Sequence, residues 1–207
     1  MADTDRISSQ LPAPLVSVVL PAWNAVRTLG ATLQSLLGQR PATGAPLPEF
    51  EIIVADDGST DDTLELLEYW ANPIRFGHRL RALHLPHGGI VAALNAGLAV
   101  ARGSFIARMD ADDTAHPLRI ATQAAHLFND PQLSVSATCV AFGGDRATAH
   151  GFAHFVDWQN GLLTHNQISR ARFRDTPLCH PSVMFRRECV DKWGSYRDGD
   201  FAEDWEI

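Results

Sequence analysis

Four short apolar runs, separated by stretches of helical or loop character, leave this chain few ways to fold. Residues 15–20 (Leu-Val-Ser-Val-Val-Leu), 51–55 (Glu-Ile-Ile-Val-Ala), 80–85 (Leu-Arg-Ala-Leu-His-Leu) and 104–109 (Ser-Phe-Ile-Ala-Arg-Met) have the pattern of buried strands. Pro21 stops the first. Residues 26–38 repeat Val26, Leu29, Leu33, Leu36 and Leu37 at helical spacing. A second helix is predicted over 61–71, opened by Asp61 and Asp62, whose charge suits a helix N-terminus. An alanine-rich third covers 89–101, and a fourth covers 117–128. The order β-α-β-α-β-α-β has connections too long for hairpins, which predicts an α/β fold with a parallel sheet flanked by helices. Residues 41–48, rich in Pro and Gly, form a loop. Beyond residue 131 the pattern becomes irregular, with short strands expected near 133–140 and 182–186.

Two of the strands run out into aspartates. Ile52-Ile53-Val54-Ala55 leads into Asp56-Asp57-Gly58-Ser59-Thr60-Asp61-Asp62, and Phe105-Ile106-Ala107-Arg108-Met109 leads into Asp110-Ala111-Asp112-Asp113. Carboxylates this crowded repel one another, and a protein keeps them together where water or a cation absorbs the charge. Ligands of an open parallel sheet bind outside the carboxyl ends of its strands. Two acidic clusters at two such ends therefore point to one polar site for a divalent metal and a phosphorylated substrate. Mg²⁺ and Mn²⁺ take oxygen ligands, and Mg²⁺ sites pair one or two carboxylates with substrate phosphates. In Asp110-Ala111-Asp112, one aspartate can hold the metal while the other reaches a hydroxyl of a bound nucleotide or sugar. At Asp56-Asp57, Gly58 permits a sharp strand-to-helix turn, and an exposed carboxylate there can accept from a base N–H and a ribose hydroxyl. Each cluster taken singly also reads as a turn or helix cap, a frequent use of aspartate. Their pairing is what favours a site. Pro21-Ala22-Trp23-Asn24 adds an aromatic and an amide at the same sheet edge, with Trp23 either beside a nucleotide or stapled to the next helix.

A length of 207 residues sets an expectation of one domain, and 45% hydrophobic with 20% charged residues suffices for a real core. The formal charge of −7 argues against nucleic acid as a partner. Three cysteines (Cys139, Cys179, Cys189) without close pairing fit a reduced, cytoplasmic setting. Residues 1–14 are polar and proline-containing and read as a flexible lead-in without an apolar signal core. No run approaches the roughly 18 apolar residues of a membrane span, which leaves peripheral membrane association open. His84, His87, His116 and His126 show no metal-ligand spacing.

Four motifs, in order, resemble one family. Val16 to Asn24, Glu51 to Thr63, Gly89-Ile90-Val91-Ala92-Ala93-Leu94-Asn95-Ala96-Gly97 and Asp110-Ala111-Asp112-Asp113 closely resemble family 2 glycosyltransferases of the GT-A fold. The resemblance extends to His180-Pro181-Ser182-Val183, near that family's acceptor side, and to Ala202-Glu203-Asp204-Trp205, its terminal Glu-Asp motif. It implies a Rossmann-like α/β/α sandwich over residues 15–207, with 115–207 as the acceptor-side half. It also implies an inverting transfer from a nucleoside diphosphate sugar, often a uridine one, to a sugar or a glycan or lipid-linked acceptor. By position, Asp57 is the counterpart of the residue that reads the base, with Pro21, Ala22, Trp23 and Asn24 alongside. Asp112 matches the ligand of a Mn²⁺ or Mg²⁺ ion, and Asp110 the carboxylate facing ribose or sugar. Gly89 and Asn95 sit where the donor-side helix approaches the nucleotide, and His180 lines an acceptor pocket. Asp204 is the general base that deprotonates the acceptor hydroxyl. Members usually continue past the Glu-Asp motif, so the chain reads as truncated at its C-terminus, or as one whose acceptor side a partner closes. Bacterial members commonly build surface polysaccharides at the cytoplasmic face of the membrane.

Three other functions compete. Asp110-Ala111-Asp112-Asp113-Thr114 also fits the D-x-D-x-T motif of haloacid dehalogenase-like phosphatases, with Asp110 as nucleophile. Those enzymes use a downstream lysine, for which Lys192 is the only candidate, and they leave the first cluster unexplained. A dinucleotide-binding oxidoreductase lacks its G-x-G-x-x-G, since Pro21-Ala22-Trp23-Asn24 stands after the first strand. A non-catalytic nucleotide-sugar-binding relic of the same fold would keep both clusters and lose turnover.

Overall fold

The computed structural model describes residues 15–72 and 79–197. Six strands form one sheet: β1 (Val16–Ala22), β2 (Phe50–Asp56), β3 (Leu80–His84), β4 (Phe105–Arg108), β5 (Val135–Ala137) and β6 (Val183–Arg186), in the order β3-β2-β1-β4-β6-β5. β1 pairs in parallel with β2 and β4, and β2 with β3. β6 runs antiparallel to both β4 and β5. The expected sheet is therefore present, mostly parallel, with an antiparallel edge built from the irregular segment. β1 and β2 are buried throughout, as strands covered on both faces must be.

Seven α-helices surround it among the described residues: α1 (Leu29–Leu37), α2 (Thr63–Trp70), α3 (Ile90–Val100), α4 (Arg119–Asn129), α5 (His150–Asn160), α6 (His165–Ala171) and α7 (Arg187–Trp193). Alternate side chains of β1 go to opposite faces. Val16, Val18 and Leu20 meet Leu29, Leu33 and Leu36 of α1, with Leu67 of α2 and Ile120 and Leu127 of α4 in the same cluster. Val19 and Ile53 face the other way, into a cluster with Leu94 and Leu98 of α3 and with Phe185. This is a three-layer α/β/α sandwich. Helix α3 lies close on the sheet because Gly97 has no side chain; a Cβ there would fall 2.6 Å from Val19 Cγ1.

At the amino ends of the parallel strands, the buried Glu51 carboxylate accepts from Ser17 Oγ (2.7 Å), Arg102 N (2.8 Å) and Arg102 Nη2 (3.0 Å). The charge is buried with its partners, which fixes β1, β2 and the α3–β4 turn together. The opposite ends, where β1 and β2 point, are left for the site. Among the described residues, no helix is long and apolar enough to cross a membrane.

Candidate active site

β2 and β4 flank β1, so the segments that follow their carboxyl ends, Asp57 onward and Met109 to Asp112, stand on either side of Pro21 and Ala22. Between them opens a cleft of about 590 Å³, lined by residues 21–28, Asp57, Asp61, His87, Gly89, Ile90, Ala93 and residues 110–112. A volume of that size suits a ligand of small-molecule or cofactor dimensions. Pro21, Ala22, Trp23, Asn24, Asp57, Gly89, Asp110 and Asp112 all line this cleft.

Asp57 differs in its setting from the exposed carboxylate expected. It is 4% exposed. Its Oδ1 accepts from Gly88 N–H (2.7 Å) and its Oδ2 from Gly89 N–H (2.9 Å), the two amides leading into α3. His87 Nδ1 lies 2.8 Å from Oδ2 and 3.0 Å from the Asp57 carbonyl oxygen. The carboxylate thus anchors the 87–89 loop to the end of β2, and a carboxylate's remaining lone pairs are what it has left for a ligand. Gly58 makes the approach possible: its φ is +69°, and a Cβ there would lie 2.7 Å from His87 N.

In the sequence His87 shows only its lack of metal-ligand spacing. Its ring stacks on Trp23, with centroids 5.0 Å apart and an interplanar angle of 22°. Trp23 remains 56% exposed, so the pair forms an aromatic wall open to the cleft. The signal that would have found it is positional: His87 follows the end of a parallel strand and precedes two glycines. Asn24 spends its amide internally. Its Oδ1 accepts from Thr60 N (2.8 Å) and Asp61 N (3.3 Å), and its backbone sits at φ +50°, a conformation asparagine tolerates. Asp61 accepts from Thr63 N (3.0 Å) and the Thr63 hydroxyl, and that hydroxyl bond leads the causes holding its carboxyl below the usual range.

On the other side, Asp110 Oδ1 forms an ion pair with Arg108 Nη1, whose guanidinium is buried. Asp112 is exposed. Asp113 has its carboxyl raised above the ordinary range, by partial withdrawal from water first and by the charges of Asp110 and Asp112 next. Helix α1 holds this acidic loop in place: Thr32 Oγ1 donates to Ala111 O (2.9 Å), and Ser35 Oγ accepts from Ala115 N (2.9 Å). Beneath it, buried Arg119 donates to Arg108 O (2.7 Å) and Gln123 Oε1 (3.0 Å). Burial pulls the Arg119 guanidinium down to about 10, which leaves it charged at neutral pH. Cys179 is pushed up to about 11, by burial and then by Asp113 and Asp110, so its thiol is not a nucleophile near neutrality.

The donor set fits a hard divalent cation. Asp112 presents an exposed carboxylate at the cleft, next to Asp110. Among the described residues no three metal-binding side chains converge, so such an ion would complete its shell from water and substrate phosphates, as Mg²⁺-type sites do.

Asn95 and His180 do not line the cleft. Asn95 faces away along α3 and its Nδ2 donates to Tyr196 O (2.8 Å); His180 is buried, with Nε2 3.0 Å from the Tyr196 hydroxyl. Both contact Tyr196. Asp204, the expected base, lies outside the described residues.

Residues 17–194 match Glycosyl transferase family 2. The chain belongs to that family. This family 2 chain is 36% identical to the chondroitin synthase of Pasteurella multocida (strain Pm70) over 176 residues, covering 83% of this chain and 16% of that protein. It resembles S. aureus TarS 1-349 in complex with UDP, with a TM-score of 0.64 at 21% identity, covering 92% of this chain and 52% of the other. The mannosyltransferase PcManGT from Pyrobaculum calidifontis, in complex with GDP-Man and Mn²⁺, gives 0.67 at 20% identity, covering 98% and 55%. At these identities the two structures establish the fold, which is GT-A. The family 2 chain spans between 16% and 55% of the length of these three proteins.

Proposed function

We propose that this chain transfers a sugar from a nucleoside diphosphate sugar to an acceptor hydroxyl, with inversion at the anomeric carbon. The observation that carries the reading is the meeting of two acidic strand ends in one cleft across β1. Family membership supports the reaction class. The complexes of TarS with UDP and of PcManGT with GDP-Man and Mn²⁺ support a nucleoside diphosphate donor and a divalent cation. Likeness to a chondroitin synthase supports work in polysaccharide or glycan synthesis.

In this reading the Trp23–His87 wall takes the nucleoside, with Asp57 fixing the loop beside it. Asp110, its direction set by Arg108, accepts from a ribose or sugar hydroxyl. Asp112 would hold Mn²⁺ or Mg²⁺, which when bound would supply positive charge to balance that of the departing diphosphate. Arg27, the one guanidinium lining the cleft among the described residues, adds to it. Asp204 removes the acceptor proton during attack, because a hydroxyl is a poor nucleophile while protonated.

The test is turnover. Purified chain is incubated with UDP- and GDP-sugars, Mn²⁺ and candidate acceptors, and nucleoside diphosphate release is followed. Asp204→Asn is expected to lower release by at least about a hundredfold, the range of general-base catalysis, while leaving nucleotide binding intact. Tight nucleotide binding without release from any donor would favour the non-catalytic relic.

A further inference from the structure

Helix α5 buries Ala153, Val156 and Gln159 and keeps its aromatics out of the core. Phe152 is exposed, and Phe155 and Trp158 are half-buried beside it. The rings touch in series: Phe152 and Phe155 have centroids 6.5 Å apart, Phe155 and Trp158 5.5 Å. The strip ends in a cation, Arg174, whose guanidinium carbon lies 5.5 Å from the Trp158 ring. Arg172 lies 4.9 Å over Phe173. Phe152, Leu163 and Phe173 are 62%, 73% and 83% exposed, and α6 buries no residue at all.

The charge here opposes that of the chain. Residues 157–175 contain three arginines, Arg170, Arg172 and Arg174, and two carboxylates, Asp175 and Asp157, the latter paired with Arg146, which leaves this face net positive in a chain of formal charge −7. None of the ion pairs among the described residues uses these three arginines. We propose that the α5–α6 hairpin is a docking surface for an anionic lipid bilayer, with Phe152, Leu163 and Phe173 entering the headgroup boundary and the three arginines pairing with lipid phosphates. Exposed apolar side chains beside arginines are what an interfacial surface combines. A sugar polymer would need free ring planes, and one face of Phe173 and of Trp158 already carries a guanidinium.

The experiment is co-sedimentation of the 207-residue chain with vesicles of phosphatidylcholine mixed with phosphatidylglycerol, against pure phosphatidylcholine. Binding is expected to the anionic vesicles alone. Arg170→Glu/Arg172→Glu/Arg174→Glu, checked for folding by circular dichroism, should weaken it by about a hundredfold or more, at roughly fivefold for each arginine lost. Salt near 1 M, where the Debye length is about 3 Å, should release the unmutated chain, so the test does not depend on the variant. No binding to anionic vesicles, or binding indifferent to salt and to the arginines, would overturn the proposal. So would retention on a uronic-acid polysaccharide, or a dimer dissociated by Phe173→Ser, in the absence of vesicle binding.

Discussion

Trp23 stands at the rim of the cleft, stacked on His87 and open to solvent on its other side. An exposed indole beside a polar cleft is where a nucleoside finds a flat partner, and such contacts contribute about 0.5–1.5 kcal/mol. Trp23→Ala is accordingly expected to weaken nucleoside diphosphate binding by about two- to tenfold in a fluorescence or calorimetric titration, with the fold intact. The aspartates of the site could be picked out from residue type and spacing, but what they do locally could not. Asp57 is an aspartate at a strand end in the sequence; that both its oxygens meet the Gly88 and Gly89 amides depends on a loop more than thirty residues away. Asn24 is similar. Its amide was expected near a ligand and instead secures the 60–61 turn, a contact that exists only once β1 and β2 are paired.

Among the elements, the first half of the chain is legible because β1, β2 and β4 are near-continuous apolar runs and the helices between the strands are marked by apolar or alanine-rich repeats. β1 to β4 and α1 to α4 fall where the sequence predicts, with no end moved by more than three residues. α5, α6 and α7 were not foreseen. α6 and α7 bury no residue and α5 buries only Ala153, Val156 and Gln159, so none of the three carries the continuous apolar stripe that announces a helix. Two glycines separate stability from function at this scale. Gly97→Ala presses a methyl into Val19 at the α3–β1 contact, away from the cleft lining, and is expected to cost about 1–3 kcal/mol, seen as a lower Tm. Gly58→Ala strains a left-handed turn against the His87 backbone, and should lower nucleotide affinity as well as Tm. Equal loss of affinity in both variants would mean that the 87–89 loop does not depend on the β2 turn.

For the whole molecule, the parallel sheet decides where chemistry can occur. With β1 between β2 and β4, two sequence-distant acidic loops share one cleft, while Glu51 and its arginine close the other end. Position in the sheet order was legible only as a consequence of parallel topology. The antiparallel β6 and β5, which bring residues 179–180 toward the second acidic loop, were visible only as short strands without a direction. The central claim is that the two clusters form one metal-assisted donor site. It is tested most directly by isothermal titration of UDP and GDP into the chain with and without Mn²⁺, repeated on Asp112→Ala. At least one nucleotide should bind the unmutated chain more than about tenfold more tightly with Mn²⁺, and Asp112→Ala should abolish that difference while keeping the metal-free affinity. An unchanged Mn²⁺ dependence in Asp112→Ala, or no binding of either nucleotide to the unmutated chain, would be incompatible with a donor site built from these two clusters.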